Sequence, residues 1–533
     1  MIRKLAYLLL ACALLSGIGE ACGLLLPTLS WPFTAAREME FLHTAGFSDS
    51  WITPDGKLLW FGWLCTAAAL ALSIWLLRQP PGRFRLTPIN ARRIARFKSI
   101  RRGYAAFLVF LGLVFVACLD QALVGKRALL VIYEGRWYAP AFTRSVIPGE
   151  TFGLTGDAAK AEPDYRRLKT EEGHPDKPSL VLLPLIPYDP SGDAAAEPVV
   201  TLERRSDGLC YAPGEQRPYN GQASRLYEEG TGRQHMRLRF RQGLPDGPAQ
   251  GWLPDGTQVL SAHYARGMQD KAKYTGPGTL GDFLTRTPEH SFHIIHHHPS
   301  PPLAGGHLLG TNSQGSDILA YLYGGLQVNL KAAFFYLPCV YLIGISMGML
   351  MGYFGGKYDL AMQRLIEILS QVPFLFVVMI ISDLVPLRFK GLFLILALLS
   401  MFGWMQMTYL LRTSTMKEKA RDYVSAARVM GASTPRILFV HILPNLIAIL
   451  VTLIPFSVSG LILALASLDY LGFGLPDTYA SWGRLLNDGL ANLSKPWIVS
   501  SAFSALVFVL LLVTFMGEAV REAFDPKKFT TYK

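Results

Sequence analysis

Apolar runs of roughly twenty residues recur along this chain, near 5–26, 58–77, 104–123, 332–354, 364–384, 391–411, 446–471 and 498–516. A helix rising about 1.5 Å per residue needs about that length to cross the ~30 Å hydrocarbon core of a bilayer. The pattern predicts an all-α polytopic membrane protein of about eight transmembrane helices. One long polar region, 124–331, interrupts the series with a different period. Lys126–Tyr138 alternates as a strand would, and Ser179–Pro187 is a second apolar stretch. From Ser206 to Lys271, turn signals recur at Asn220-Gly221, Gly230, Gly243, Asp246-Gly247, Asp255-Gly256 and Gly267. Alternating runs such as Met236–Phe240 and Gln258–Tyr264 lie between them. Stacked β-hairpins repeating at about 24 to 26 residues are expected there.

A second polar island, Lys419–Asn445, separates two long apolar runs and is patterned as two short helices. Thr415 and Glu418 have capping-box spacing, so a helix is expected to start there and run through Tyr423, Ala426, Ala427 and Met430. Gly431 would close it in a left-handed conformation. Thr434 would then cap a second helix from Pro435 toward Pro444, with Pro435 at the first helical position. Small residues Ser425, Ala426 and Ala427 share one face, a shape suited to a cleft in another protein.

The chain has 533 residues, 51% of them hydrophobic and 17% charged. A net charge of +12 would suggest nucleic acid in a soluble protein. Its placement gives another reason: nine Lys or Arg and no acid lie between Arg78 and Gly103, as in a cytoplasmic loop. That assignment places both termini in the cytoplasm and 124–331 outside, with no nucleic-acid partner required. Arg388 and Lys390 then fall outside, against the bias. The first apolar run continues to about Leu26 without a small-residue cleavage site, and reads as an uncleaved span. Glu20 within it faces protein or water, or pairs near the outer interface. Glu367, Gln371 and Pro373 in the fifth run fit either a cavity wall or a kink beside the interface. Pro455 predicts a bend in the seventh.

Cys210 is the one cysteine of six in the long polar region, which excludes a disulfide framework there. Six of the eleven histidines gather at His290, His293, His296, His297, His298 and His307. Of these, His293, His296, His297 and His298 are weak candidates for Zn, Ni or Cu. No cysteine or well-placed second carboxylate completes a set, so the segment reads first as a Pro-rich linker and no metal is assigned. The sequence contains no GxxxxGK[ST], H-E-x-x-H or G-x-S-x-G motif, so neither an ATPase nor a catalytic site is read in this chain.

The run Ser425-Ala426-Ala427, then Gly431, then Leu443-Pro444 resembles the EAA loop of ABC-importer permeases, with Ser at the first EAA position. Before the fourth run, Gly310-Thr311-Asn312-Ser313-Gln314-Gly315-Ser316-Asp317 is similar to the outer-face GTD-x-x-GRD motif of dipeptide-type permeases. Gly310, Thr311, Gly315 and Asp317 agree with it. Asn312 stands where the family prefers Asp, Ser316 where it has Arg, and Gln327 where a second Arg falls. Pro88–Tyr104, Val131–Tyr138 and Gly472–Gly483 are also similar to segments of the oligopeptide and dipeptide permeases, YejE-type members included. This resemblance covers about 78–190 and 303–528. The hairpin region resembles MORN-type repeats.

Residues 1–77, outside the resemblance, read as an extra transmembrane hairpin, and the resemblance implies that a basic cytoplasmic segment with the first core span (78–123) follows. An external β-rich region (124–331) would follow, with hairpins at about 206–271. The permease core (332–516) would carry the cytoplasmic coupling loop 412–445, and a cytoplasmic tail (517–533) would close the chain. The core would be the six-helix type I importer unit in a bacterial inner membrane. Asp422, Ser425, Ala426, Ala427, Gly431, Leu443 and Pro444 would couple it to the ATPase. Gly344, Gly348 and Gly352, four apart on one face, would allow close helix packing within the chain or against a second permease.

The implied partners are that permease, two ATPase subunits holding ATP and Mg, an external substrate-binding protein, a peptide or peptide-like substrate, and the bilayer. A bulky residue at Ala427 would uncouple transport and spare the fold. The missing arginines motivate a second reading, a transport-inactive anchor or sensor. The histidines motivate a third, import of a metal compound.

Overall fold

The computed structural model describes residues 2–21, 57–78, 88–119, 122–143, 146–154, 157–170, 178, 180–190, 199–212, 216–227, 234–285, 292–295, 298–386, 391–477 and 479–524. The chain divides into two compact units, one of Met1–Asp193 with Leu319–Lys533, the other of Ala194–Ile318. Glu20's side chain, His290, His296, His297, Arg388, Lys390 and the tail after Phe524 lie outside the described residues.

The first unit is helical. Helices α1 (Ile2–Ala21) and α2 (Lys57–Arg78) pack together, and a buried Ser16–Thr66 hydroxyl pair at 3.3 Å joins them. Helix α3 (Pro88–Ser99) is a basic amphipathic helix within the stretch whose charge alone indicates a cytoplasmic loop. Pro88 opens it, where a missing N–H costs nothing. Its Arg96 pairs with Glu522 at 3.8 Å, and Arg93 lies over the Phe524 ring at 5.0 Å. Helix α4 (Arg101–Cys118) follows after a break at Ile100.

Residues 122–193 of this unit carry a small antiparallel sheet of β1 (Leu130–Tyr133), β2 (Arg136–Tyr138) and β3 (Leu180–Leu182). Its interior is Val131, Tyr133, Phe152, Tyr165 and Val181; the strand expected in Lys126–Tyr138 is present as a hairpin, and the apolar stretch Ser179–Pro187 supplies the third strand.

Among the described residues, five helices are long and apolar enough to cross a membrane, or six if one bent pair is a single span. Helices α1 and α2 add the shorter apolar stretches Ala6–Gly19 and Thr66–Arg78. The span expected at 332–354 is the C-terminal part of a longer, 37-residue helix, Ile318–Phe354. That is about 55 Å of helix, well beyond a bilayer core. The span expected at 364–384 is broken: helices Gly356–Gln371 and Phe374–Leu384 meet at 67°. Pro373 at the break lacks the N–H an unbroken helix needs. Glu367, beside this kink, is exposed and ion-paired with Arg364 at 2.5 Å.

Helices Leu392–Lys419, Leu443–Tyr470 and Pro496–Phe524 complete the bundle, with the amphipathic Trp482–Ala491 between the last two. Leu396, Leu399, Leu461, Leu465 and Leu468 form one buried layer. Val458, Ile462, Val509 and Val513 form another with Ala117 of α4.

The second unit is built on a seven-stranded antiparallel sheet. Strand β4 (Val199–Thr201) lies at one edge, and the hairpin β5 (Glu203–Arg204) with β6 (Cys210–Tyr211) follows it in the chain as a separate pair. Strands β7 (Gly221–Leu226), β8 (Gln234–Arg241), β9 (Leu244–Trp252), β10 (Gln258–Ala265) and β11 (Met268–Tyr274) form a meander. Strand β12 (His293–Ile295) joins β7 to β4. The expected hairpins exist, but they extend one continuous sheet and do not stack. Gln242-Gly243 and Arg266-Gly267 both have positive φ at the two turn positions, the geometry that matches the twist of a tight hairpin. The MORN-type assignment rests on sequence spacing alone.

Ala223, Leu238, Ala249 and Ala262 are paired across four strands and lie buried with Phe240, Leu260 and Phe283. Phe283 sits on the short helix Leu280–Thr285, which covers this face.

Candidate functional site

The island between the two long helices does not start at Thr415. Thr415 is fully buried inside the unbroken helix Leu392–Lys419, so the capping-box expectation fails. Its place on the face toward Gly352 overrides the local cap signal. The chain breaks at Ala420–Arg421, and a short helix runs Asp422–Val429. Asp422 in its first turn complements the positive helix end. Gly431 has φ +79°. Its N–H bonds to Arg428 O and the Ala432 N–H to Ala427 O, both at 3.0 Å. This pair of bonds is a Schellman closure, as the glycine predicts.

Ser433, one residue before the expected Thr434, holds the N-cap position of the next turn without a side-chain cap bond, and Pro435 lies in its first turn. The helix then does not end at Pro444. Ile437–Ile442 form a π-helical stretch leading directly into Leu443–Tyr470. Proline clashes with the carbonyl four residues back in a regular helix, and the wider π turn just before Pro444 is one way past that clash.

The structure separates the predicted coupling residues by face. Ser425, Ala426, Gly431 and Pro444 are exposed, as is Asp422, and Leu443 is half-buried. Ala427 is 2% exposed. It sits beside Val424, which packs with Ile437, Leu438 and Met349. The expectation that a bulky residue at Ala427 spares the fold is therefore corrected, because the side chain would enter the protein's own core. The outward apolar residues are Val429 and Met430, 89% and 80% exposed beside Gly431.

Polar contacts moor this knuckle to its neighbours. The Tyr423 hydroxyl donates to Glu418 at 2.6 Å and accepts from Asn445 Nδ2 at 2.9 Å. Burial, then the bond to Glu418, raises the Tyr423 pKa. Lys419 donates to Tyr353 O at 2.5 Å. Lys419 and Arg428 both lie 5.6 Å from the Tyr353 ring, within cation–π range. Tyr353 ends the long helix Ile318–Phe354, so the short helix holds two of the long ones at once. Farther along, Arg412 donates to both Asp359 oxygens at 2.5 and 2.6 Å. Sequence reading missed Tyr353, Arg412 and Asp359. An isolated acid or base within an apolar run was the available signal.

Gly344, Gly348 and Gly352 pack within the chain. An added Cβ at Gly344 would lie 2.8 Å from Met407, at Gly348 2.8 Å from Leu411 Cβ, and at Gly352 2.7 Å from Thr415 Cβ. These glycines hold the first long helix against Leu392–Lys419, directly above the knuckle's anchor.

In the outer-face motif, Asn312 Oδ1 accepts the N–H groups of Ser316 at 2.8 Å and Gln314 at 3.1 Å. The Thr311 hydroxyl accepts from Ser300 N–H and pairs with His298 Nδ1, both at 2.8 Å. His307 Nδ1 meets Asp317 at 2.9 Å in a site where both side chains are 2% exposed. Gly310 and Gly315 take the left-handed φ of +80° and +83° that the turn requires. The motif is thus a self-satisfied turn, and His298 and His307 belong to it. His293 lies in strand β12 with its Nδ1 3.1 Å from the Thr201 hydroxyl. Among the described residues, no three His, Cys, Asp or Glu side chains converge as metal ligands. Ser316 and Gln327 are buried, and Gln327 donates to Ala117 O at 2.9 Å. Neither presents a group to solvent where the family carries arginine.

A bundle of long apolar helices with a helix–glycine–helix knuckle between two of them defines a multi-pass membrane permease. The family described as binding-protein-dependent transport system inner membrane component matches residues 344–530, which include the knuckle. The peptidoglycan transport system permease protein YejE of Agrobacterium fabrum is 29% identical over 449 residues, 84% of this chain and 96% of that protein. The inner membrane ABC transporter permease protein YejE of Escherichia coli is 30% identical over 444 residues, 83% of this chain and 99% of that one. The oligopeptide permease OppC of Haemophilus influenzae is 34% identical over 229 residues, 43% of this chain and 73% of its own. The chain belongs to this family of ABC-importer inner-membrane permeases, in its peptide-type branch. The longer matches extend past the two stretches, 78–190 and 303–528, on which the resemblance was visible.

Proposed function

We propose that this chain works beside a second permease, carrying peptides or peptide-like compounds inward from an external binding protein. Two ATPase subunits holding ATP and Mg would drive it from the cytoplasm, where both termini would lie. The observation that carries this reading is the Asp422–Val429 helix, closed by Gly431 and presenting Ser425, Ala426 and Met430 outward. A partner pressing on it would move Tyr353 through Arg428, and the π stretch through Ile437 and Leu438. The glycine seam joins two of the affected helices along their length. Such a linkage lets nucleotide-dependent closure bias two arrangements of the bundle.

Purification of the tagged chain from its native membrane should bring down an ATPase and a second permease. Liposomes holding that complex should accumulate labelled peptide only with ATP inside and binding protein outside. A complex lacking any nucleotide hydrolase would instead support the transport-inactive anchor.

A further inference from the structure

Over strands β8 to β11 the sheet has one covered face and one open face; toward β7 and β12 the second face is buried as well, at Ser224 and His293. Ala223, Leu238, Ala249 and Ala262 line the covered one. Their chain neighbours point the opposite way, because side chains alternate along a strand. Pairing aligns Arg237, Gln250, Ser261 and Lys273 across four strands, and places Lys271 opposite His263 in the next row. Arg239 packs its stem over Gly247 and is exposed. Gln250, Ser261, His263, Lys271 and Lys273 are exposed as well. Arg237 is held by Gln234 at 2.8 Å and by the Trp252 ring at 5.5 Å, so its guanidinium is fixed before any partner arrives. The acids Asp246 and Asp270 fall where β9 and β11 leave regular register, outside these paired rows.

We propose that this face is a docking surface for an acidic patch on the external solute-binding protein, additional to the permease core. The inference rests on the importer reading above, which places Ala194–Ile318 outside the membrane. Three features favour a protein over an anionic bilayer. The paired rows offer cations and hydrogen-bonding side chains, with Pro248 opposite His263 the one apolar residue among them and no long aliphatic chain to insert among lipids. Arginine binds carboxylates through two parallel bonds, and Arg237 and Arg239 sit among amide and hydroxyl groups suited to a polar protein surface. The face spans about 14 Å from Lys273 to Arg237 at ~4.8 Å per strand, the scale of a small protein patch. A binding protein must arrive and leave in every cycle, and charge-led contacts favour fast encounter without tight retention.

The test uses the complete transporter in nanodiscs of uncharged lipid, with ATP hydrolysis as readout. The probe is the purified solute-binding protein that stimulates it. The variant is Arg239→Gln, Lys271→Gln and Lys273→Gln together, its thermal unfolding first matched to wild type. The proposal expects the half-maximal concentration of binding protein to rise roughly tenfold at low salt with the maximal rate unchanged. It also expects salt to weaken wild type more than the variant. An unchanged half-maximal concentration and salt response would overturn the docking surface alone. An unchanged half-maximal concentration with lost binding to phosphatidylglycerol vesicles would assign the face to lipid and also overturn it. A wild-type transporter that no binding protein stimulates would overturn the importer reading and this surface with it.

Discussion

Gly348→Ala isolates one contact on which the transmission route depends. An added Cβ there would lie 2.8 Å from Leu411 Cβ and 2.8 Å from Thr408 O. Carbon neighbours rest at about 3.5–4.0 Å, so the two helices must part by roughly 0.7 Å or more. Thr408 O is main chain and Leu411 Cβ is fixed by the backbone that carries it, so no rotamer change relieves the overlap. Overpacking of this kind costs about 1–3 kcal/mol, against which alanine's helical preference returns about 0.5–1 kcal/mol. A net loss of about 0.5–2 kcal/mol is expected. Gly112 supplies the opposite sign, because an added Cβ there meets nothing within 4 Å. Gly112→Ala should therefore stabilise by up to about 1 kcal/mol. Denaturant titration of the purified chain in one detergent compares the three proteins directly. A Gly348→Ala protein as stable as Gly112→Ala would refute the seam. Peptide-stimulated ATP hydrolysis should fall in the same variant, since the seam joins the helix ending at Phe354 to the helix leading into the knuckle.

Three further outcomes follow from the same geometry. Ala426→Trp should abolish ATPase copurification with unfolding unchanged, whereas Ala427→Trp should lower stability, by about 1–3 kcal/mol; equal stability of the two would contradict the burial difference. Asp359→Asn or Arg412→Met alone should each cost roughly 3–5 kcal/mol, and the double variant clearly less than their sum, measured as a double-mutant cycle. His235 is buried against Phe283 at 4.3 Å, and desolvation lowers its pKa. An unfolded chain takes up that proton near pH 6.5, so the folded sheet keeps its full stability above this value and loses it as pH falls below. Limited proteolysis of the 234–285 segment should accelerate between pH 7.5 and 5.5, and His235→Gln should flatten that slope.

How much of this was legible beforehand follows from what each signal encodes. Apolar length announces membrane helices well, because twenty apolar residues have few other uses. It could not show that the helix ending at Phe354 begins at Ile318, since the first turns of that helix are only moderately apolar. Gly431 was readable because a left-handed residue has few side-chain options. The capping box at Thr415 was misread because burial against Gly352 outweighs a cap worth about 1 kcal/mol. The resemblance marked Ser425, Ala426 and Ala427 as one patch. Their division between surface and core depends on Val424, Ile437 and Leu438, contacts that a local pattern does not contain. Asp359 and Arg412 are 53 positions apart and pair only through the fold. The hairpin turns were visible as Gly-containing pairs, while the sheet's open basic face emerges only once strand register is known.

The central claim is that nucleotide-driven work enters through the outward side of the Asp422–Val429 helix. Its most direct test is a cysteine at Ser425 in the reconstituted transporter, treated with a short bifunctional thiol reagent. The account predicts a covalent product with the ATPase subunit, formed at different rates in the nucleotide-free and ATP-bound states. Labelling of that cysteine by a membrane-impermeant reagent from the binding-protein side, with no ATPase product, would contradict it.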